Sequence, residues 1–178
     1  MAREDTIRRP ATRGARVAPP ARWRPAAALL LSLAGLGVST YLTVAHFAHV
    51  PLACSDNGIV NCERVTHSPQ SYVFGIPVAF LGLLFFVAMS AINLPRAWRA
   101  ADRRLHLLRL AMGVVGMGFV LYLVAAELVI IRNICIWCTS VHLLTFLLFV
   151  LLVSTVPPMV GWGEGAPTAR DRNERGGR

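Results

Sequence analysis

Four cysteines carry the chemistry open to this chain, and they come as two unlike pairs. Cys135 and Cys138 stand three apart in NICIWCTSVHLL, where a long apolar run begins, whereas Cys54 and Cys62 stand eight apart in CSDNGIVNC. A Cys-x2-Cys pair serves as half of a zinc site, as a redox-active dithiol or as packing. Four thiolates would complete a zinc site by count, but Cys-x7-Cys lies outside the usual ligand spacing, and no metal centre is expected. Two structural disulfides in a non-catalytic membrane scaffold form the plain alternative, although a bridge within one helical turn is strained and reducible. Thiol–disulfide exchange between the pairs is the third reading. It requires that the two pairs meet.

The elements that must bring them together are apolar. Runs of about 18 or more apolar residues with few charges mark bilayer crossings, and four qualify: Ala26 to Ala48, Val73 to Leu94, Leu107 to Ile131 and Ile134 to Val156. The fold class is therefore an all-α integral membrane protein, a bundle of four transmembrane helices. Residues 26–156 form its catalytic domain with an outer loop at 49–72, and the arginine-rich segments 1–25 and 157–178 are read as disordered tails. The first run is longer than the roughly 7–15 residues of a signal-peptide core, so it is read as a retained span.

Charge then orients the bundle. All 18 basic residues are arginine, which gives a net charge of +9. Seven arginines precede residue 25, five lie between Asn93 and Leu110, and four follow Pro157. With four crossings these fall on one side, and only Arg64 and Arg132 fall on the other. That is the positive-inside pattern of a membrane protein rather than a nucleic-acid surface, and it places both termini in the cytoplasm. The chain crosses twice between Cys62 and Cys135, so all four cysteines share one side. The arginine bias makes that side extracytoplasmic, where disulfides persist.

The neighbours of the cysteines refine the expectation. Asp56, Asn57 and Gly58 supply turn chemistry between Cys54 and Cys62. Cys135 and Cys138 would share one face of the first helical turn, where free N–H groups and the helix dipole favour thiolate. His142, one turn below Cys138, is placed to hydrogen-bond or protonate a carbonyl that gains negative charge. Glu127 is an acid in an apolar run, a functional candidate by default, with Arg132 as its alternative partner. Trp137 suits an interfacial anchor and a wall of a cofactor pocket. His46, His49 and His67 read as interfacial.

Taken jointly, the outer-loop pair, Ser68 six residues after Cys62 in CERVTHS, YVFGIPVAFLG at Tyr72 to Gly82, and CIWC at Cys135 to Cys138 resemble the bacterial homologues of vitamin K epoxide reductase. The resemblance spans roughly Ala26 to Val156. It implies a membrane thiol:quinone oxidoreductase that supports disulfide bond formation. Cys135 and Cys138 would be its active-site pair, with Cys138 the thiolate that faces the quinone, and Cys54 and Cys62 its shuttle pair. A reduced, extracytoplasmic thioredoxin-like protein would attack Cys54, freeing Cys62 to attack Cys135. Ser68 would position its segment near the active cysteines. His142 would contact the quinone, where vertebrate relatives carry tyrosine. With no thioredoxin-like segment in the chain, the partner is expected to be a separate protein. The arginine-only basic set points to a GC-rich bacterial genome, hence to menaquinone.

Overall fold

A computed structural model describes residues 21, 23–54, 57–99 and 102–159. The long helices are α1 (Trp23–Ala48), α3 (Val78–Ile92), α5 (Arg103–Ala125) and α6 (Ile136–Met159); the short ones are α2 (Cys62–Thr66) and α4 (Pro95–Arg99). Strands β1 (Tyr72–Val73) and β2 (Ile76–Pro77) pair antiparallel just before α3. The chain is an all-α membrane protein in which α1, the α5 segment through Ile131, and α6 are each long and apolar enough to cross a bilayer. The helical boundaries reach beyond the expected ones, since α1 begins at Trp23 and α6 runs to Met159. The remainder of both tails, and Asp56, lie outside the described residues.

The second apolar run departs most from expectation. In place of a helix over Val73–Leu94, the chain forms a hairpin and then a helix of 15 residues. Phe74 and Gly75 turn the hairpin with φ of 53° and 79°, a left-handed pair that glycine makes easy at the second position. Pro77 then precedes α3, its fixed φ suited to a helix start. At 1.5 Å per residue α3 measures about 22 Å, shorter than a hydrocarbon core of about 30 Å.

Packing is asymmetric. α1 lies against both α3 and α6, and α6 against α5, whereas α3 and α5 touch little and leave a groove between them. At the end away from the cysteines, Ala28, Phe86, Met89, Trp98, Leu148, Leu152 and Val156 close an apolar core. Gly35 lets α1 approach α3 there, since a Cβ would enter the Phe86 ring. Arg109 is fully buried. Its Nε and Nη2 donate to the Ile92 carbonyl at 3.0 and 2.6 Å, and its guanidinium lies 4.2 Å from the centre of the Trp98 ring. This arginine caps α3, whereas its neighbours Arg103 and Arg104 are exposed. At the cysteine-bearing end the buried polar residues include Ser39, Ser68, Glu127, Asn133 and His142.

Candidate functional site

The two cysteine pairs meet through a backbone seam. Val60 and Ile134 form a parallel bridge, in which the Asn61 N–H donates to the Ile134 carbonyl at 3.1 Å and the Ile134 N–H to the Ile59 carbonyl at 2.9 Å. The buried Asn133 amide reinforces it, donating to the carbonyls of Gly58 at 2.9 Å and Ile59 at 3.3 Å. Asn61 then caps α2, its side-chain oxygen accepting from the Arg64 N–H at 2.8 Å. Cys62 is thus the first residue of a helix that starts beside Cys135. Cys62 is 2% exposed, Cys135 0%, and with Val65 they form a small buried cluster.

Cys54 and Cys62 are joined by a disulfide, while Cys135 and Cys138 are free thiols. Cys135 lies just outside α6 rather than within its first turn. Its carbonyl accepts the first helical bond from the Thr139 N–H at 2.9 Å, and its sulfur accepts from the Cys138 N–H at 3.2 Å, the pattern of a helix cap. The Cys138 S–H also donates to that sulfur and holds the Cys135 thiol below its ordinary value, against the opposing effect of burial. The helix donors therefore converge on Cys135, where the expectation had placed the thiolate on Cys138. The reason is geometric, because only the residue before the helix can turn its side chain back over the free N–H groups.

Cys138 faces the other way, into a cleft of about 620 Å³ lined by α1, α2, the 68–71 segment, the start of α3, α5 and α6. Glu127 and His142 line the same cleft, and both are buried. A turn of π-helix over Ala126–Ile131 carries Glu127 into it, an irregularity that often marks functional sites. The Glu127 carboxyl group lies on the side of the Cys135 backbone N–H, while Arg132 stands exposed at the end of the turn. Ser68 also lines the cleft, its hydroxyl donating to the Val65 carbonyl at 2.8 Å. Ser71 ties the same turn down, donating to the carbonyls of Thr66 and Ser68 at 2.7 and 2.6 Å. A second, almost wholly apolar cleft of about 960 Å³ follows the groove between α3 and α5. Val78, Leu123, Val141 and His142 belong to both clefts, so His142 stands at their junction.

Two buried polar atoms in the first cleft have no partner among the described residues: Ser39 Oγ and His142 Nδ1. For Ser39 this is conspicuous, because Ser32, Thr40 and Thr43 on the same helix all return their hydroxyls to the carbonyl four residues back, each at 2.7 Å. The sequence reading missed Ser39, as a lone serine in an apolar helix carries no signal of its own. Trp137 is the converse case. It does not line either cleft; its indole N–H donates to the Ala53 carbonyl at 3.0 Å, on the Cys54 side of the outer loop. The expected role as a pocket wall has no geometric support, since a residue between Cys135 and Cys138 on the helix points away from the face that Cys138 presents.

The structure therefore brings together Cys62, Cys135, Cys138, Ser68, Glu127 and His142, adds Ser39, and directs Trp137 elsewhere. His46 and His67 stack with ring centres 5.1 Å apart beside Tyr72 and stay outside the cleft. Among the described residues, no group of three or more His, Cys, Asp or Glu side chains could hold a metal ion. A family model for the Vitamin K epoxide reductase family matches residues 26–153, well over half of the chain.

Proposed function

The chain belongs to the vitamin K epoxide reductase family, whose members use quinones, and from that premise we propose that it oxidises an extracytoplasmic thioredoxin-like protein at the expense of menaquinone, in support of disulfide bond formation. Family and fold together make it a multi-pass membrane thiol–disulfide oxidoreductase. The partner, the quinone and the orientation are the finer reading. In that reading α3 with its hairpin completes a fourth crossing, both termini are cytoplasmic, and residues 26–156 form the catalytic unit. The concentration of arginines near the α3–α5 turn supports this orientation.

Electrons enter at Cys54. A partner thiolate attacks its sulfur, forms a mixed disulfide and releases Cys62 as thiolate. Cys62 attacks Cys135 in the oxidised Cys135–Cys138 pair, so a Cys62–Cys135 bond forms and Cys138 leaves. The second partner thiol then resolves the mixed disulfide, and the freed Cys54 attacks Cys62, restoring Cys54–Cys62 and releasing Cys135. Two partner thiols become a disulfide, and the Cys135–Cys138 disulfide becomes two thiols. The structure has the bonding of this product, with Cys54–Cys62 joined and the other two free.

Ser39 and His142 carry the quinone assignment. A quinone presents two carbonyl acceptors on an apolar ring, and a bound one would supply a two-electron, two-proton acceptor. Two buried, unpartnered groups beside a free thiol in one cleft fit that chemistry. The Ser39 hydroxyl donates without rearrangement, and His142 donates from Nδ1 in the tautomer that places the proton there. Glu127 takes the Cys138 proton and returns it to the developing hydroxyl in the cleft. The apolar groove between α3 and α5 suits an isoprenoid tail that continues towards lipid. Reconstitution with a reduced thioredoxin-like protein and a quinone series tests the proposal. One quinol is expected per partner disulfide, lost in Cys62→Ala and Cys138→Ala; partner oxidation without quinol formation refutes it.

A further inference from the structure

The two arms of the outer loop are held by different means. The Cys62 arm is bonded through the backbone, by the seam between Ile59, Asn61 and Ile134. The Cys54 arm is held by side chains: Trp137 donates to the Ala53 carbonyl at 3.0 Å, and the Ala53 N–H donates to the Tyr41 hydroxyl at 2.9 Å. The Tyr41 and Trp137 rings lie with their centres 4.8 Å apart. Both backbone groups of the residue before Cys54 are thus engaged, one from α1 and the other from between the two active-site cysteines.

A relay of two adjacent pairs needs a device of this kind. Once the partner's second thiol frees Cys54, that thiolate can attack either sulfur of the Cys62–Cys135 bond, and only attack on Cys62 restores Cys54–Cys62 and releases Cys135. Cys54 lies four positions after Val50, the previous backbone anchor, whose N–H donates to the Ala45 carbonyl. Extended, such a stretch reaches about 13 Å, so chain length alone does not keep Cys54 from Cys135. Apart from the packing of Leu52 and Cys54 against the Cys62–Cys135 cluster, the two hydrogen bonds on Ala53 are, among the described residues, what keeps the arm in place once the disulfide opens.

We propose that Trp137 and Tyr41 form a latch on Ala53 that keeps Cys54 from Cys135, so that Cys62 alone of the outer-loop pair bonds to it. Both are positioning residues, acting through the backbone of Ala53, and the proposal rests on the two-pair relay described above. Each hydrogen bond shifts the latch equilibrium by about 2- to 13-fold. Removing one should raise the share of Cys54–Cys135 linkage by that factor, and removing both should raise it further.

The test uses the full chain with Cys138→Ala, in which three cysteines compete for one intramolecular disulfide. The protein is equilibrated in a glutathione redox buffer without quinone or partner, quenched with acid, alkylated and mapped by mass spectrometry. The latch predicts Cys54–Cys62 and Cys62–Cys135 linkages in the parent, and a 2- to 13-fold rise in Cys54–Cys135 with Trp137→Phe or with Tyr41→Phe, each of which keeps an aromatic ring. An unchanged map in either folded variant overturns it. Thr139→Ala is the control, since it removes a hydroxyl bond to the Cys135 carbonyl at the same threshold. An equal rise there overturns the latch in favour of general loosening. Neither quinone nor partner takes part, so a failure of the proposed activity leaves this outcome readable.

Discussion

Replacing Asn133 by alanine tests whether the seam sets the effective concentration of Cys62 at Cys135. The Asn133 amide makes two bonds, at 2.9 Å to the Gly58 carbonyl and at 3.3 Å to that of Ile59. Gly58 and Ile59 are exposed, so water can replace the amide and only the net value of each bond is lost. The longer bond counts for less, because the Ile59 carbonyl already accepts the Ile134 N–H at 2.9 Å. The sum is about 1–2 kcal/mol, or a shift of about 5- to 30-fold in the docked fraction of the Cys62 arm. The assay is the equilibrium between Cys62–Cys135 and glutathione in a Cys54→Ala, Cys138→Ala background, which reads effective concentration directly. A 5- to 30-fold fall is expected. An unchanged equilibrium in a protein that has lost thermal stability would show that Asn133 braces the loop without positioning Cys62, and the reasoning would fail.

Three further outcomes follow. Thiolate absorbance at 240 nm, with the outer-loop disulfide intact, should rise as pH passes a midpoint below the ordinary thiol value, because the depressed group loses its proton early. Cys138→Ala removes the S–H donor and should move that midpoint up. Ser39→Ala should raise the KM for quinone about 2- to 13-fold, the value of one hydrogen bond, while exchange with the partner stays unchanged; equal kinetics for both proteins would remove Ser39 from the site. Glu127→Gln should lower the rate of quinol formation about 10²- to 10⁴-fold with the disulfide exchanges intact, and a rate within a factor of two of the parent's would remove it as proton carrier.

What could be read from the sequence depended on whether a feature announces itself along the chain. The cysteine pairs do, and three long apolar runs do, because continuity of apolar residues is what a bilayer demands. His142 also does, since a spacing of four from Cys138 holds wherever the helix is regular. The hairpin before α3 was masked by that same apolar continuity, although Gly75 and Pro77 are turn and boundary residues. Ser39 became visible only when its missing hydrogen bond could be compared with those of Ser32, Thr40 and Thr43. The seam joins residues more than 70 positions apart mainly through backbone groups, and Asn133, the side chain that reinforces it, is not marked by its sequence context. Trp137 was legible as a boundary aromatic, but its direction depends on Cys135 standing outside α6 as a cap rather than within it.

The central claim is that both cysteine pairs form one relay ending at a quinone. Anaerobic addition of excess menaquinone to the fully reduced protein, with quinol counted against protein, measures this most directly. Four thiols should yield two equivalents of quinol, and Cys62→Ala, which isolates the pair at Cys135 and Cys138, should yield one. A single equivalent from the unaltered protein, with Cys54 and Cys62 still reduced, would contradict the relay.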